Sequence, residues 1–169
     1  TSSSSIYQGA YKFCSGRSQS TQYFNGYVSD AQLVIGTAVY TSAFTPPTAP
    51  LTAITNTKAL LSFQNASIFD NAGGNDFETA GNAQISTGQS KFGGASMYFD
   101  GSTSYLNLIN NPLNVMGDFT VEGWFYLTTS RDYPFILEIG AHAGADGIAF
   151  MVNDRTYGTC LYSGGFYGH

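Results

Sequence analysis

The sequence predicts an all-β protein, an antiparallel β-sandwich or jelly roll, and three observations carry that prediction. Charged residues make up only 10% of the 169 positions, where a soluble protein typically carries about 25%. Aromatic residues make up 15%, with 13 Phe and 12 Tyr against a single Trp. Strand-sized apolar stretches recur at short, regular spacing with no helical period between them. A helical bundle needs Glu, Lys and Arg at helical spacing on its exposed faces, which this composition does not supply. Disordered chains are poor in aromatics and rich in charge, so disorder is excluded as well. The surface must be built from Ser, Thr, Asn and the 20 glycines.

The elements follow in order. Residues 23–28, 32–35 and 39–40 are short β-prone pieces, punctuated by Asn25-Gly26 and Gly36. Residues 44–50 then gather three of the five prolines. Proline has no ladder donor and extends its predecessor, so this stretch is expected to end a sheet and act as a spacer, continued by residues 51–57. Residues 59–63 open a second block as an apolar strand, and Asp70-Asn71-Ala72-Gly73-Gly74-Asn75-Asp76 is a loop of turn residues. Strands are expected at 83–86, 95–99 and 105–108, the latter two joined through Asp100-Gly101. Residues 119–127 form the longest candidate, and 134–139, 148–152 and 158–162 complete the set.

Alternation in that longest strand puts Phe119, Val121, Phe125 and Leu127 on one face and Thr120, Glu122, Trp124 and Tyr126 on the other. The apolar face is expected to pack. Trp124 is read as a core residue, with a sugar-stacking platform as the alternative.

The net charge is -5, and the six basic residues, Lys12, Lys58, Lys91, Arg17, Arg131 and Arg155, are scattered. No basic stripe exists to neutralise phosphates, which argues against a nucleic-acid partner. No apolar run approaches the roughly 20 residues of a membrane-spanning helix. The opening Thr-Ser-Ser-Ser-Ser has no signal-peptide pattern, position 1 is not Met, and the chain stops in a strand-like Phe-Tyr-Gly-His. Both ends are therefore expected to be cut from a longer chain. Cys14 and Cys160 are read as two free, packed thiols rather than a bridge, and His142 and His169 have no neighbouring Cys or His to make a zinc site.

Residues 91–102, KFGGASMYFDGS, followed by Tyr105-Leu106 and then by GDFTVEGW at 117–124, resemble the front half of a laminin G-like module. That module belongs to the concanavalin A-like lectin/glucanase superfamily, and this version resembles repeats in structural proteins of marine tailed phages. Residues 23–30, FNGYVSD and its flank, with 36–40 and Phe44-Thr45-Pro46-Pro47, resemble the last strands of the same module, and 49–52 resembles the spacer after it. The closing motif thus precedes the opening one. Residues 1–50 are expected to end one repeat, 51–57 to link, and 58–169 to begin the next; one permuted sandwich is the alternative. The family's Trp-His pair and "YVNG" hairpin are missing, and Ser29-Asp30 and Gln32 depart from its usual Asp-Asp and Arg.

The resemblance implies a non-enzymatic virion module, either a glycan-binding adhesion repeat of a tail fibre or capsid-decorating protein or a purely architectural spacer. Its glycan hydrolases align carboxylates at alternate positions of one strand, and such hydrolysis needs two carboxyl groups about 5–10 Å apart. Here Glu122 stands alone in its strand and Glu138 alone in another, so no catalytic residue is expected. Calcium is the family's plausible ion. Asp70, Asp76, Asp100, Asp146 and Asp154 are the loop carboxylates, but none has D-x-D-x-D spacing, and Asp100-Gly101 and Asp146-Gly147 are read as turns. No cofactor and no metal-ligating residue are expected. Asn65-Ala66-Ser67 matches a glycosylation acceptor. The expected partners are other subunits of a virion assembly and a host-surface glycan, met partly by β-strand addition at uncovered sheet edges.

Overall fold

Every regular element among the described residues is a strand, as the scarcity of charge and the wealth of aromatics require. The structure is a computed structural model and describes residues 11–14, 23–64, 68, 70–109, 117–129, 134–141, 146–153, 158–163 and 166–168. In chain order the strands are β1 (Tyr11–Phe13), β2 (Asn25–Ile35), β3 (Thr57–Leu61), β4 (Phe77–Ala80), β5 (Gln84–Ser86) and β6 (Ser96–Asp100). They continue with β7 (Tyr105–Leu108), β8 (Phe119–Leu127), β9 (Phe135–Ala141), β10 (Asp146–Asn153), β11 (Gly158–Ser163) and β12 (Phe166–Gly168).

All pairings are antiparallel. One sheet runs β12-β11-β10-β9-β1-β7-β4 and the other β3-β2-β6-β5, with β8 joined to β2. The second sheet is organised around β2. Its residues 25–28 pair with β6 and its residues 31–34 with β3, along one edge. Its other edge carries β8 from Gly26↔Leu127 to Ile35↔Phe119.

The sheets face one another as a β-sandwich. Phe13, Leu106, Ile136 and Leu137 from the first sheet share one core with Val28, Leu33, Met97 and Phe99 of the second and with Phe24 just before it. Phe24 meets Phe99 edge-on, with ring centroids 5.9 Å apart, an arrangement the ring quadrupoles favour. Full burial of each such side chain stabilises the fold by about 1.5–3 kcal/mol.

These pairings correct the expected division at 51–57. Residues 25–35 lie in one sheet with residues 57–61, 96–100 and 119–127, and β1 lies between β9 and β7 of the other. Each sheet therefore takes strands from both sides of the expected boundary. The segment that follows β2 does not hang free either. Residues 37–44 lie against β8: the Val39 amide donates to Thr120 Oγ1 at 2.9 Å, the Tyr40 hydroxyl donates to Glu122 Oε2 at 2.6 Å, and Tyr40 stacks on Phe44 at 3.8 Å. Val39 and Tyr40 themselves form no strand.

The turn residues behave as their chemistry dictates. Asp100 Oδ1 accepts from the Ser102 and Thr103 amides at 2.9 and 3.3 Å, tying β6 to β7. Gly101 takes φ +73, and a Cβ there would sit 2.5 Å from Asn25 Cβ. Asp70 Oδ1 accepts from the Leu60 and Ala72 amides at 2.8 and 2.9 Å, pinning the 70–76 loop to β3. Asp146-Gly147, expected to be a turn, instead begins β10 opposite Ala141 and Gly140.

Candidate functional site

The outer face of the second sheet carries a patterned set of side chains. On β2, Val28 turns into the core, so its neighbours Tyr27 and Ser29 take the opposite face. On β6, Met97 and Phe99 turn inward, leaving Ser96 and Tyr98 outward. On β8, Phe119, Val121 and Leu127 pack against the core, and Trp124 and Tyr126 point away from it. Register lines these residues up. Tyr98, Tyr27 and Tyr126 are direct partners across three strands, with centroids 5.1 and 6.3 Å apart. In the next outward row, Ser29 pairs with Trp124.

Between these rows lies a cavity of about 280 Å³. Tyr27, Tyr126 and Trp124 are among its aromatic walls, the buried Ser29 and Ser96 line it from the sheet, and Gln89, Ser90 and Lys91 line it from the β5–β6 loop. That loop is fastened in place: the Gly88 amide donates to Ser86 Oγ at 3.1 Å, and the Ser96 hydroxyl donates to the Gln89 carbonyl. Space is tight at Gly88, where a Cβ would lie 3.0 Å from the Tyr27 hydroxyl. Lys91 Nζ sits 4.6 Å from the Trp124 ring centroid, and Phe92 meets that ring edge-on at 5.9 Å. The Ser29 hydroxyl is buried with no partner among the described residues.

One step along β2 the chain bulges. Register passes from Ser29↔Trp124 to Gln32↔Glu122, so Asp30 and Ala31 together oppose Gly123. Asp30 takes φ 51, is fully buried, and neither of its carboxylate oxygens has a partner among the described residues. Burial pushes its carboxyl up to about 6, because desolvation disfavours the charged form. Asp100 moves the other way. Burial raises it, but hydrogen bonds from Ser102, Ser104 and Thr103 outweigh that and hold it at about 2.

Trp124 is not a core residue: it is half-buried on the outer face, where the alternative reading set it. Phe125, expected inside, is 39% exposed. It lines a second, mainly apolar cavity of about 270 Å³ with Val121, Phe13, Ile136, Phe44 and Pro47. Glu122 holds Tyr40, whose hydroxyl is raised to about 12 by that hydrogen bond, by burial and by the carboxylate charge. Glu138 belongs to the opposite sheet. Asp70 and Asp100 bind backbone amides within their own loops, and no group of three or more potential metal ligands occurs among the described residues. Cys14 is a buried free thiol, raised by desolvation. His142, His169, Asp154 and Asn65-Ala66-Ser67 lie outside the described residues, as do the side chains of Cys160 and Asp146. No described helix is long and apolar enough to cross a membrane.

Sequence reasoning missed Tyr27, Ser29, Lys91, Ser96 and Tyr98 as a group. The signal lay in two alternations, Tyr27-Val28-Ser29 and Ser96-Met97-Tyr98-Phe99, which become one surface only when β2 and β6 pair. The chain matches no protein-family model, no curated protein and no solved structure.

Proposed function

We propose that this chain is a non-enzymatic glycan-binding module, and that the cavity beside Trp124 is its site. The observation behind this reading is the pairing of aromatic walls with the exposed polar side chains of Gln89, Ser90 and Lys91 in one shallow pocket. A sugar ring offers C–H faces to aromatic rings and hydroxyls to polar groups at their edges, and such a pocket meets both demands. The absence of catalysis is part of the proposal, because Glu122 and Glu138 lie in different sheets and cannot flank one glycosidic bond.

The laminin G-like motifs support the wider setting: a concanavalin A-like jelly roll repeated in a phage fibre or capsid-decorating protein, displayed on the virion and touching neighbouring copies. Exposure of Tyr126 at 54% and Phe125 at 39% on the outlying strand β8 favours a second, architectural reading in which that strand meets another subunit. A glycan array probed with the chain separates the two. Binding to a family of glycans, lost in Trp124→Ala, supports the module. Uniform silence overturns it and leaves assembly.

A further inference from the structure

We infer that the ligand of the Trp124 pocket is an acidic saccharide, one whose sugar ring bears a carboxylate or a sulfate, and that Lys91 receives the anionic group. This rests on the glycan-binding reading and narrows it to a ligand class.

The pocket's own chemistry makes the choice. Among the described residues that line it there is no carboxylate, and Lys91 is the one cation. In a protein with six basic residues against eleven acidic ones, an ammonium at the mouth of an aromatic pocket is a specific feature. It is held there without a carboxylate partner among the described residues: its Nζ lies 4.6 Å over Trp124 and 5.9 Å over Phe92. An indole face steadies the ammonium through its quadrupole but leaves its N–H donors unclaimed. The exposed Ser90 hydroxyl and Gln89 side-chain amide add neutral donors beside it. An anionic oxygen accepting from an ammonium makes a charge-assisted hydrogen bond about twice as strong as a neutral one. Lys91 is exposed and has a flexible four-carbon stem, so it can follow an anion without disturbing the sheet.

The test starts from the array's binders. Each carboxylated binder is compared with its carboxyl-reduced counterpart and each sulfated one with its desulfated form, by calorimetric titration against the wild-type chain, Lys91→Gln and Lys91→Arg. A thermal melt confirms that the variants fold. The acidic form is expected to bind about tenfold tighter than its neutral counterpart, an increment of about 1.4 kcal/mol. Lys91→Gln should remove that difference, and Lys91→Arg should keep most of it. Which arm retains the difference identifies carboxylate or sulfate as the recognised group. Equal binding of acidic and neutral forms, or a Lys91→Gln variant that keeps the full difference, overturns the inference and leaves the glycan-binding reading standing. If no saccharide binds at all, that reading itself falls and this inference with it.

Discussion

Ser29 on β2 and Trp124 on β8 are register partners, and that pairing brings a buried hydroxyl beside the chain's single indole on the outer face of the sheet. The relationship depends on β8 running along the whole free edge of β2. It ends at the next residue, where the Asp30–Ala31 bulge begins.

Trp124→Ala should separate binding from stability. The indole is half-buried and lies outside the core cluster, so its loss should lower stability by roughly 1 kcal/mol, well below the 3–5 kcal/mol of a core aromatic truncation. Phe99→Ala, which removes a fully buried ring, should fall in that higher range. Denaturant titration followed by circular dichroism measures both, and equal losses would mean that Trp124 is structural after all.

Gly123→Ala should destabilise the bulge. A Cβ at Gly123 would stand 3.1 Å from Ala31 Cα and 3.3 Å from the Asp30 carbonyl oxygen. Both are backbone atoms and yield poorly, so a loss of about 1–3 kcal/mol is expected. A neutral result in the same titration would show that the bulge relaxes freely.

Stability should have a pH optimum set by two aspartates acting in opposite directions. Asp30 is raised from its ordinary value to about 6, so the folded state holds its proton more tightly than the unfolded one. Its contribution is complete below about pH 4 and is lost as pH rises through 6. Asp100 is lowered to about 2, so its contribution is present above about pH 4 and is lost as pH falls toward 2. Asp30→Asn should remove the decline between pH 4 and 7 and stabilise the protein at pH 7 by on the order of 1 kcal/mol. Asn also tolerates the positive φ. Unfolding followed across pH, with an unchanged slope in the variant, would contradict this.

Tyr40→Phe tests whether residues 37–44 form a real strap over β8. The hydroxyl donates to Glu122 Oε2 at 2.6 Å while the ring stacks on Phe44. Deleting the hydroxyl alone should lower stability by about 1 kcal/mol, and Glu122→Gln should bring down the raised tyrosine titration. Limited proteolysis near Phe44 should quicken in both variants, and unaltered cleavage would mean that the strap is not held by this bond.

The fold class was legible in composition and spacing because a two-residue alternation and a neutral polar surface are properties of the chain itself. Strand β8 was legible for the same reason, down to the inward turn of Phe119, Val121 and Leu127. Strand β2 read as two pieces, 23–28 and 32–35, yet in the fold a bulge at Asp30 and Ala31 joins them and the strand continues to Ile35. The short strands β1 and β4 escaped notice, since Lys12 and Glu78 interrupt their apolar runs and pairing with β7 stabilises both. Phe125 was misjudged because alternation states which residues share a face, not whether the opposite sheet reaches that far. Here a cavity lies where it would have packed. The pocket itself joins residues from β2, β6, β8 and the β5–β6 loop, so it exists only after the sheet has formed.

Because Trp124 is the chain's only tryptophan, the protein carries its own reporter at the proposed site, and intrinsic fluorescence tests the central claim most directly. Titrating the wild-type chain with a glycan that it retains on the array should change the indole emission saturably, with a midpoint matching the affinity from calorimetry. Binding measured by calorimetry with no change in emission would contradict the account, because the glycan would then be held away from Trp124.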